Sequence, residues 1–124
     1  MAPTERRRAP RIADEGLSLK VKGGDFDIMT HTLNISASGI YCKVEKELPL
    51  MSRVQLMLMI PDSAKDGKSS IGVEVDGVVV RQHPVIIDGR VKHYDIAIFF
   101  ENLSPKHRDM ISAYIARKKG TPQP

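Results

Sequence analysis

The sequence predicts a mainly β protein, a six-stranded antiparallel β-barrel followed by one C-terminal α-helix. Three observations lead to this prediction: short segments that alternate apolar and polar residues, turn residues between them, and one late stretch with apolar residues at helical spacing. At 124 residues the chain fits a single domain. Its hydrophobic fraction of 41% and charged fraction of 27% are those of ordinary folded proteins.

The predicted strands follow from alternation and from the turns that separate them. Leu17 to Lys22 alternates apolar and polar residues, and Gly23-Gly24-Asp25 supplies the turn after it. Gly77 indicates a bend or bulge, and Asp88-Gly89 indicates a turn inside the connection 83–90. The remaining strands are predicted at residues 26–33, 40–45, 53–60, 71–80 and 91–100, with an exposed loop at 62–70.

A C-terminal helix is predicted over residues 104–118. Ser104 is a typical N-cap and Pro105 is favoured at the first helical position. Met110, Ile111, Tyr114 and Ile115 form one apolar stripe, which requires a surface to pack on. The predicted organisation is therefore a flexible arginine-rich arm (1–16), a barrel with its helix (17–118) and a tail (119–124).

The positive charge is concentrated in the N-terminal arm. The net charge is +4, and the first eleven residues carry +3 of it. They contain four arginines and one acidic residue: Arg6, Arg7, Arg8 and Arg11, with Glu5. A domain that coats a nucleic-acid backbone spreads its basic residues over a face or along a helix. We therefore expect no nucleic-acid partner.

Cysteine usage and hydropathy indicate a cytoplasmic protein. Cys42 is the only cysteine, so no disulfide can form within the chain. The N-terminal segment lacks the apolar region of a signal peptide, and no apolar run approaches the ~20 residues of a membrane span. We expect neither secretion nor direct membrane insertion.

Two short motifs resemble the signatures of the PilZ family. Arg7 and Arg11 form R-x-x-x-R, and Asn34 to Gly39 reads N-x-S-x-x-G, in the family's order and approximate separation. The resemblance continues through residues 77–81 and 94–100 and into the helix, so it covers nearly the whole chain. One departure is Ala97, where many family members carry glycine, and we expect this to affect packing more than binding.

The resemblance implies a receptor for cyclic di-GMP, a bacterial second messenger with two guanines and two phosphates, and no other cofactor. Arginine suits this ligand because its guanidinium can contact guanine O6 and N7 together, stack on a purine or pair with phosphate. An asparagine amide and a serine hydroxyl can bind a purine edge, and glycine allows close approach or an unusual dihedral. The predicted ligand-binding residues are Arg7, Arg8, Arg11, Asn34, Ser36 and Gly39.

The predicted signal is a change in the arm. Closure of the arm over the ligand would alter the surface seen by a downstream protein partner, in motility, attachment or polysaccharide export as in the family. Whether one ligand or a stacked pair binds is left open. The alternatives are a PilZ-fold interaction module that does not bind nucleotide and a small barrel that binds nucleic acid through its arm.

The sequence indicates no catalytic or metal site. There is no nucleophile elbow and no convincing carboxylate pair, and the four histidines lack the spacing of metal ligands. The segment 66–69 is similar to the end of a P-loop, but Asp62 stands where its first glycine is required. Met57 and Met59 lie opposite the apolar face of their strand, and a homodimer contact or a covering helix would bury them.

Overall fold

A computed structural model describes residues 12–13, 17–61 and 70–118. The predicted flexibility of the arm and the tail concerns residues that lie outside these ranges, except Ile12 and Ala13. Within them the elements are β1 (Ile12–Ala13), β2 (Ser18–Lys22), β3 (Asp27–Ser36), β4 (Gly39–Val44), β5 (Arg53–Pro61), β6 (Ser70–Ile87), β7 (Arg90–Glu101) and α1 (Pro105–Lys118).

Strands β2 to β7 form a closed antiparallel barrel. The order around the ring is β3-β2-β5-β6-β7-β4, and β4 pairs again with β3. This confirms the predicted six-stranded barrel. β1 lies outside the ring and pairs with β3, with Ile12 opposite Ile35 and Ala13 opposite Asn34. Because β4 pairs with the same two residues of β3, β1 and β4 lie on opposite edges of that strand.

The core is built from the inward side chains of every barrel strand. On β5, for example, Val54, Leu56, Leu58 and Ile60 are all buried, as their alternation predicted. The predicted stripe of α1 packs on this core through Ile111, Tyr114 and Ile115, with Met110 partly buried beside them. The cap is also confirmed, because the His107 N–H donates to Ser104 Oγ at 3.1 Å.

The connection predicted over residues 83–90 is almost entirely strand. β6 continues to Ile87, β7 begins at Arg90, and only Asp88 and Gly89 form the turn. Their φ angles of 54° and 77° are those of a type I′ turn, whose twist matches that of the flanking strands. The Asp-Gly turn was therefore predicted correctly, but its neighbours were wrongly assigned to a loop.

Of the bend or bulge predicted at Gly77, the bulge is wrong. Gly77 stays in register opposite Val54 and Phe100, and the bulge lies at Val80, between Val79 and Arg81. A glycine is required at this position for a different reason: the Ile98 side chain fills the adjacent space, and a Cβ on residue 77 would lie 2.5 Å from Ile98 Cγ2. A side chain at this position would overpack the core.

The face of β5 that points away from the core, which carries Met57 and Met59, is partly covered by other residues of the same chain. The Met57 sulfur lies 2.9 Å from the point where a Cβ on Gly72 would stand, so the methionine covers the space that this glycine leaves. Met57 and Met59 are both of intermediate exposure. Their partial burial therefore requires no second protein, and a homodimer contact on this face stays a prediction.

Candidate functional site

The β3–β4 hairpin carries the second predicted motif. Ser36 pairs with Gly39, and Ala37 and Ser38 form the turn between them. The Ser36 hydroxyl accepts a hydrogen bond from the Ser38 N–H at 3.2 Å and lies 3.1 Å from Ser38 Oγ and 3.4 Å from the Gly39 carbonyl oxygen. With only 1% of its surface exposed, Ser36 stabilises the turn. Its predicted contact with a purine stays a prediction.

Gly39 is required by the neighbouring strand. A Cβ at this position would collide with the Ile98 carbonyl oxygen and lie 3.3 Å from Phe99 Cα. The Phe100 N–H also donates to the Ser38 carbonyl at 2.9 Å, which holds β7 against the turn. The sequence suggested two reasons for a glycine here, close approach or an unusual dihedral. The structure shows close approach: the backbone of β4 at Gly39 lies against the backbone of β7.

A bulge in β3 places Asn34 on the outer face of the barrel. The register with β4 shifts between Thr32 and Asn34, so Leu33 is an extra residue in that stretch. Thr32 and Ile35 are both fully buried although they are three residues apart, which strict alternation does not allow. Asn34 therefore points outward and is partly exposed, between Ala13 on β1 and Tyr41 on β4.

The strand registers align the hairpin with residues far away in the sequence. One outward row runs from Asn34 through Tyr41 and Ala97 to Arg81, and the next runs from Ser36 through Gly39 and Phe99 to Val78. With ~4.8 Å between strands, each row extends about 14 Å. A cavity of about 300 Å³ lies here, lined by Ser38, Gly39, Ile40, Tyr41, Val80, Arg81, Ala97, Ile98 and Phe99.

Three side chains of this surface were missed in the sequence: Tyr41, Arg81 and Phe99. Phe99 is 51% exposed although it is aromatic, and Arg81 is exposed two strands away from the hairpin. An aromatic face can stack on a planar ring, a guanidinium can bind an anion or a purine, and an amide can bind a ring edge. The surface is therefore suited to a planar, polar and negatively charged ligand.

The first motif lies outside the described residues. Arg7, Arg8 and Arg11 are not described, but β1 begins at Ile12, the residue that follows Arg11, and pairs with Ile35 of the hairpin. Arg11, the last residue of the arginine motif, therefore directly precedes β1 in the sequence, and β1 pairs with β3, the strand that carries Asn34. Where the three guanidinium groups lie stays a prediction.

Another cavity lies elsewhere on the described part of the chain and is a weaker candidate. Its volume is about 580 Å³, and it opens where the first half of β3 separates from the end of β4. Its charged lining mixes both signs, and none of the three described residues of the predicted site, Asn34, Ser36 and Gly39, lines it. The lining residues are Asp27, Ile28, Met29, Thr30, Lys43, Val44, Glu45, Lys46, Lys92 and His93.

Catalytic and metal chemistry has no support in the described part of the chain. No three His, Cys, Asp or Glu side chains there are grouped to hold a metal ion. Burial, with a smaller effect of the Asp95 charge, raises the pKa of Cys42 to about 12, so its thiol stays protonated near neutral pH. Among these residues, no helix has both the length and the apolar character of a membrane span.

Comparison with known proteins gives one family. The sequence model of the PilZ domain matches residues 5–117. Among solved structures, the chain is similar to the Bacillus subtilis inhibitor of motility (MotI/DgrA), with 17% identity, a TM-score of 0.75, and coverage of 99% of this chain and 59% of that one. No curated protein sequence matches.

Two further similar structures contain c-di-GMP. The PilZ domain of Escherichia coli YcgR with c-di-GMP has 16% identity and a TM-score of 0.62, over 93% of this chain and 97% of that one. The K. pneumonia MrkH–c-di-GMP complex has 17% identity and a TM-score of 0.65, over 94% of this chain and 56% of that one. The chain thus spans somewhat more than half the length of MotI/DgrA and MrkH and nearly all of the YcgR domain.

Proposed function

The chain belongs to the PilZ family, and on this premise we propose that it is a receptor for cyclic di-GMP that acts as an adaptor and not as an enzyme. One observation carries the proposal: the backbone after Arg11 pairs with the strand that bears Asn34, next to a surface suited to a purine. Similar folds in YcgR and MrkH were solved with c-di-GMP, which supports the choice of ligand.

The ligand would be held between two walls. On the barrel, the Asn34 amide would bind a guanine edge, and Tyr41 and Phe99 would contact its face. Gly39 would keep the hairpin against β7, and Ser36 would hold the turn. On the arm, Arg7, Arg8 and Arg11 would contact guanine or phosphate, for which the planar guanidinium is better suited than an ammonium group.

The proposed signal is closure of the arm. The described pair of residues in β1, Ile12 and Ala13, joins the arm to β3 close to the hairpin. Ligand contacts from the arginines would then order the preceding residues and present a new surface to a protein partner in the cytoplasm. MotI/DgrA is an inhibitor of motility, so control of motility or surface attachment is the process we propose.

Titration calorimetry of the full chain with cyclic di-GMP tests the function. We expect saturable binding with a defined number of ligands per chain, and much weaker binding of cyclic di-AMP, which has the same phosphates but lacks guanine O6. No heat at sub-millimolar ligand would instead favour an interaction module that does not bind nucleotide. Binding of generic DNA or RNA with a steep salt dependence would favour the nucleic-acid alternative.

A further inference from the structure

The dipeptide Asp-Gly occurs three times in the sequence, and the structure describes two of these pairs in different surroundings. Asp88-Gly89 forms the turn between β6 and β7, whereas Asp76-Gly77 lies inside β6. The third pair, Asp66-Gly67, lies outside the described residues. Asp-Gly is more reactive than other aspartyl pairs, because glycine has no side chain to shield its nitrogen from the carboxyl group of the preceding aspartate. The fold therefore offers a comparison of one reactive pair in a turn and in a strand.

The reaction open to this dipeptide is closure of a succinimide ring. The glycine nitrogen forms a bond to Cγ of the aspartate, and the protonated carboxyl group loses its hydroxyl, which leaves with the amide proton as water. Water then adds to one of the two ring carbonyl carbons and breaks its bond to the nitrogen. Opening at Cγ restores aspartate. Opening at the main-chain carbonyl carbon leaves isoaspartate, in which the peptide chain continues through Cβ and Cγ.

Asp76-Gly77 is held by strands on both edges. Asp76 pairs with Gln55 on β5 and Glu101 on β7, and Gly77 stays in register with the same two strands. The Ile98 side chain also fills the space beside Gly77. Ring closure requires the main chain to rotate out of the extended conformation, and this would break the pairing on both sides of β6. We therefore expect ring closure at Asp76 only when the whole barrel unfolds.

Asp88-Gly89 lies at the tip of a two-stranded ribbon, residues 83–93. The last pair between β4 and β7 joins Val44 to Tyr94, and the pairing of β5 with β6 ends at Val78. Each strand of the ribbon, which the structure describes in full, therefore pairs only with the other. Both turn residues are exposed, and a Cβ on Gly89 would meet nothing within 4 Å. An isolated two-stranded hairpin is only marginally stable, so this tip should open while the barrel stays folded.

We propose that Asp88-Gly89 is a site of spontaneous isomerisation, at which the folded protein accumulates isoaspartate while Asp76 stays unmodified. Isoaspartate adds a methylene group to the main chain of a two-residue turn, whose type I′ geometry requires two ordinary residues with positive φ. The product should therefore loosen the ribbon and leave the barrel intact. Isomerisation would proceed whether or not the chain binds a nucleotide, because neither residue lines the cavity beside the β3–β4 hairpin.

Prolonged incubation of the full chain at neutral pH, followed by digestion with trypsin and mass spectrometry, tests the proposal. The tryptic peptides 69–81 and 82–90 contain one Asp-Gly pair each. Chromatography separates an isoaspartyl peptide from its aspartyl form, which has the same mass. We expect isoaspartate in peptide 82–90 and none in peptide 69–81. In concentrated urea, which removes the protection given by the fold, both peptides should convert at similar rates.

A matched pair of variants gives a second readout. Asparagine closes the same ring with loss of ammonia in place of water, so the reaction appears as a change in mass when the amide becomes a carboxyl group. Asn-Gly is also favoured in a type I′ turn, so Asp88→Asn should keep the hairpin. The folded protein should lose the amide introduced by Asp88→Asn and retain the one introduced by Asp76→Asn. Thermal melting by circular dichroism checks that both variants are folded.

Two results would overturn the proposal. One is a folded wild type in which peptide 82–90 stays unmodified, and the other is a folded wild type in which peptide 69–81 converts as fast as peptide 82–90. Hydrogen exchange of the aged protein measures the structural effect. Exchange should become faster in residues 83–93 and stay unchanged in the strands of the barrel.

Discussion

Replacing Arg7 and Arg11 together by alanine should weaken cyclic di-GMP binding by about a hundredfold or more, with little change in the melting temperature. A bidentate arginine contact is worth roughly 1–3 kcal/mol, and two such contacts correspond to about two orders of magnitude in the dissociation constant or more. Among the described residues the buried core begins at Leu17, so we expect the stability of the barrel not to depend on these two arginines. Calorimetric titration of the full-length variant gives the result.

Two further variants make this prediction specific. Arg108→Ala removes an exposed arginine from α1 and should leave the affinity unchanged. Replacement of Arg7 and Arg11 by lysine keeps the charge but removes the planar fork, so binding should remain well below that of the wild type. Wild-type affinity in the double alanine variant would remove the arm from the site, and full rescue by lysine would reduce its role to net charge.

Gly39→Ala should lower both the stability and the affinity for cyclic di-GMP. The new methyl group would meet the Ile98 carbonyl, which is backbone of β7 and cannot rotate away as a side chain can. Overpacking of this kind costs about 1–3 kcal/mol in the free energy of unfolding. Because the hairpin must move away from β7, Asn34 and Phe99 should also lose their alignment. Urea denaturation and calorimetry measure the two effects.

Gly24→Ala is the matched control for this variant. Gly24 is also in a turn, but a Cβ there would meet nothing within 4 Å. Its free energy of unfolding should change by less than about 0.5 kcal/mol, as for most surface substitutions. A Gly39→Ala protein with the stability and affinity of the wild type would show that the hairpin tolerates a side chain, and the packing role assigned to Gly39 would be wrong.

The barrel could be predicted from the sequence because its alternation is local. In β4, Ile40, Cys42 and Val44 are buried as the pattern indicates. The limits of β3 were harder to predict, because Asn34 and Ser36 are residue types that favour turns. Here their strand is held by partners on both edges, β1 and β4, and continues to Ser36. Tertiary pairing therefore overrode the local preference.

The candidate site was only partly predictable for a related reason. Asn34, Ser36 and Gly39 lie within six residues, so a motif can show them, and the structure brings them together on one hairpin. Tyr41, Phe99 and Arg81 join them through the registers of four strands and through bulges at Leu33 and Val80. A bulge reverses which side chains point outward, and alternation alone cannot locate it.

Amide hydrogen exchange of the full chain, with and without saturating cyclic di-GMP, tests most directly whether the arm and the hairpin hold the same ligand. Exchange should slow both in residues 4–11 and in the hairpin segment 35–39, and the slowing in both should be lost when Arg7 and Arg11 are replaced by alanine. Protection of the hairpin with unchanged exchange in the arm, at full saturation, would contradict the account.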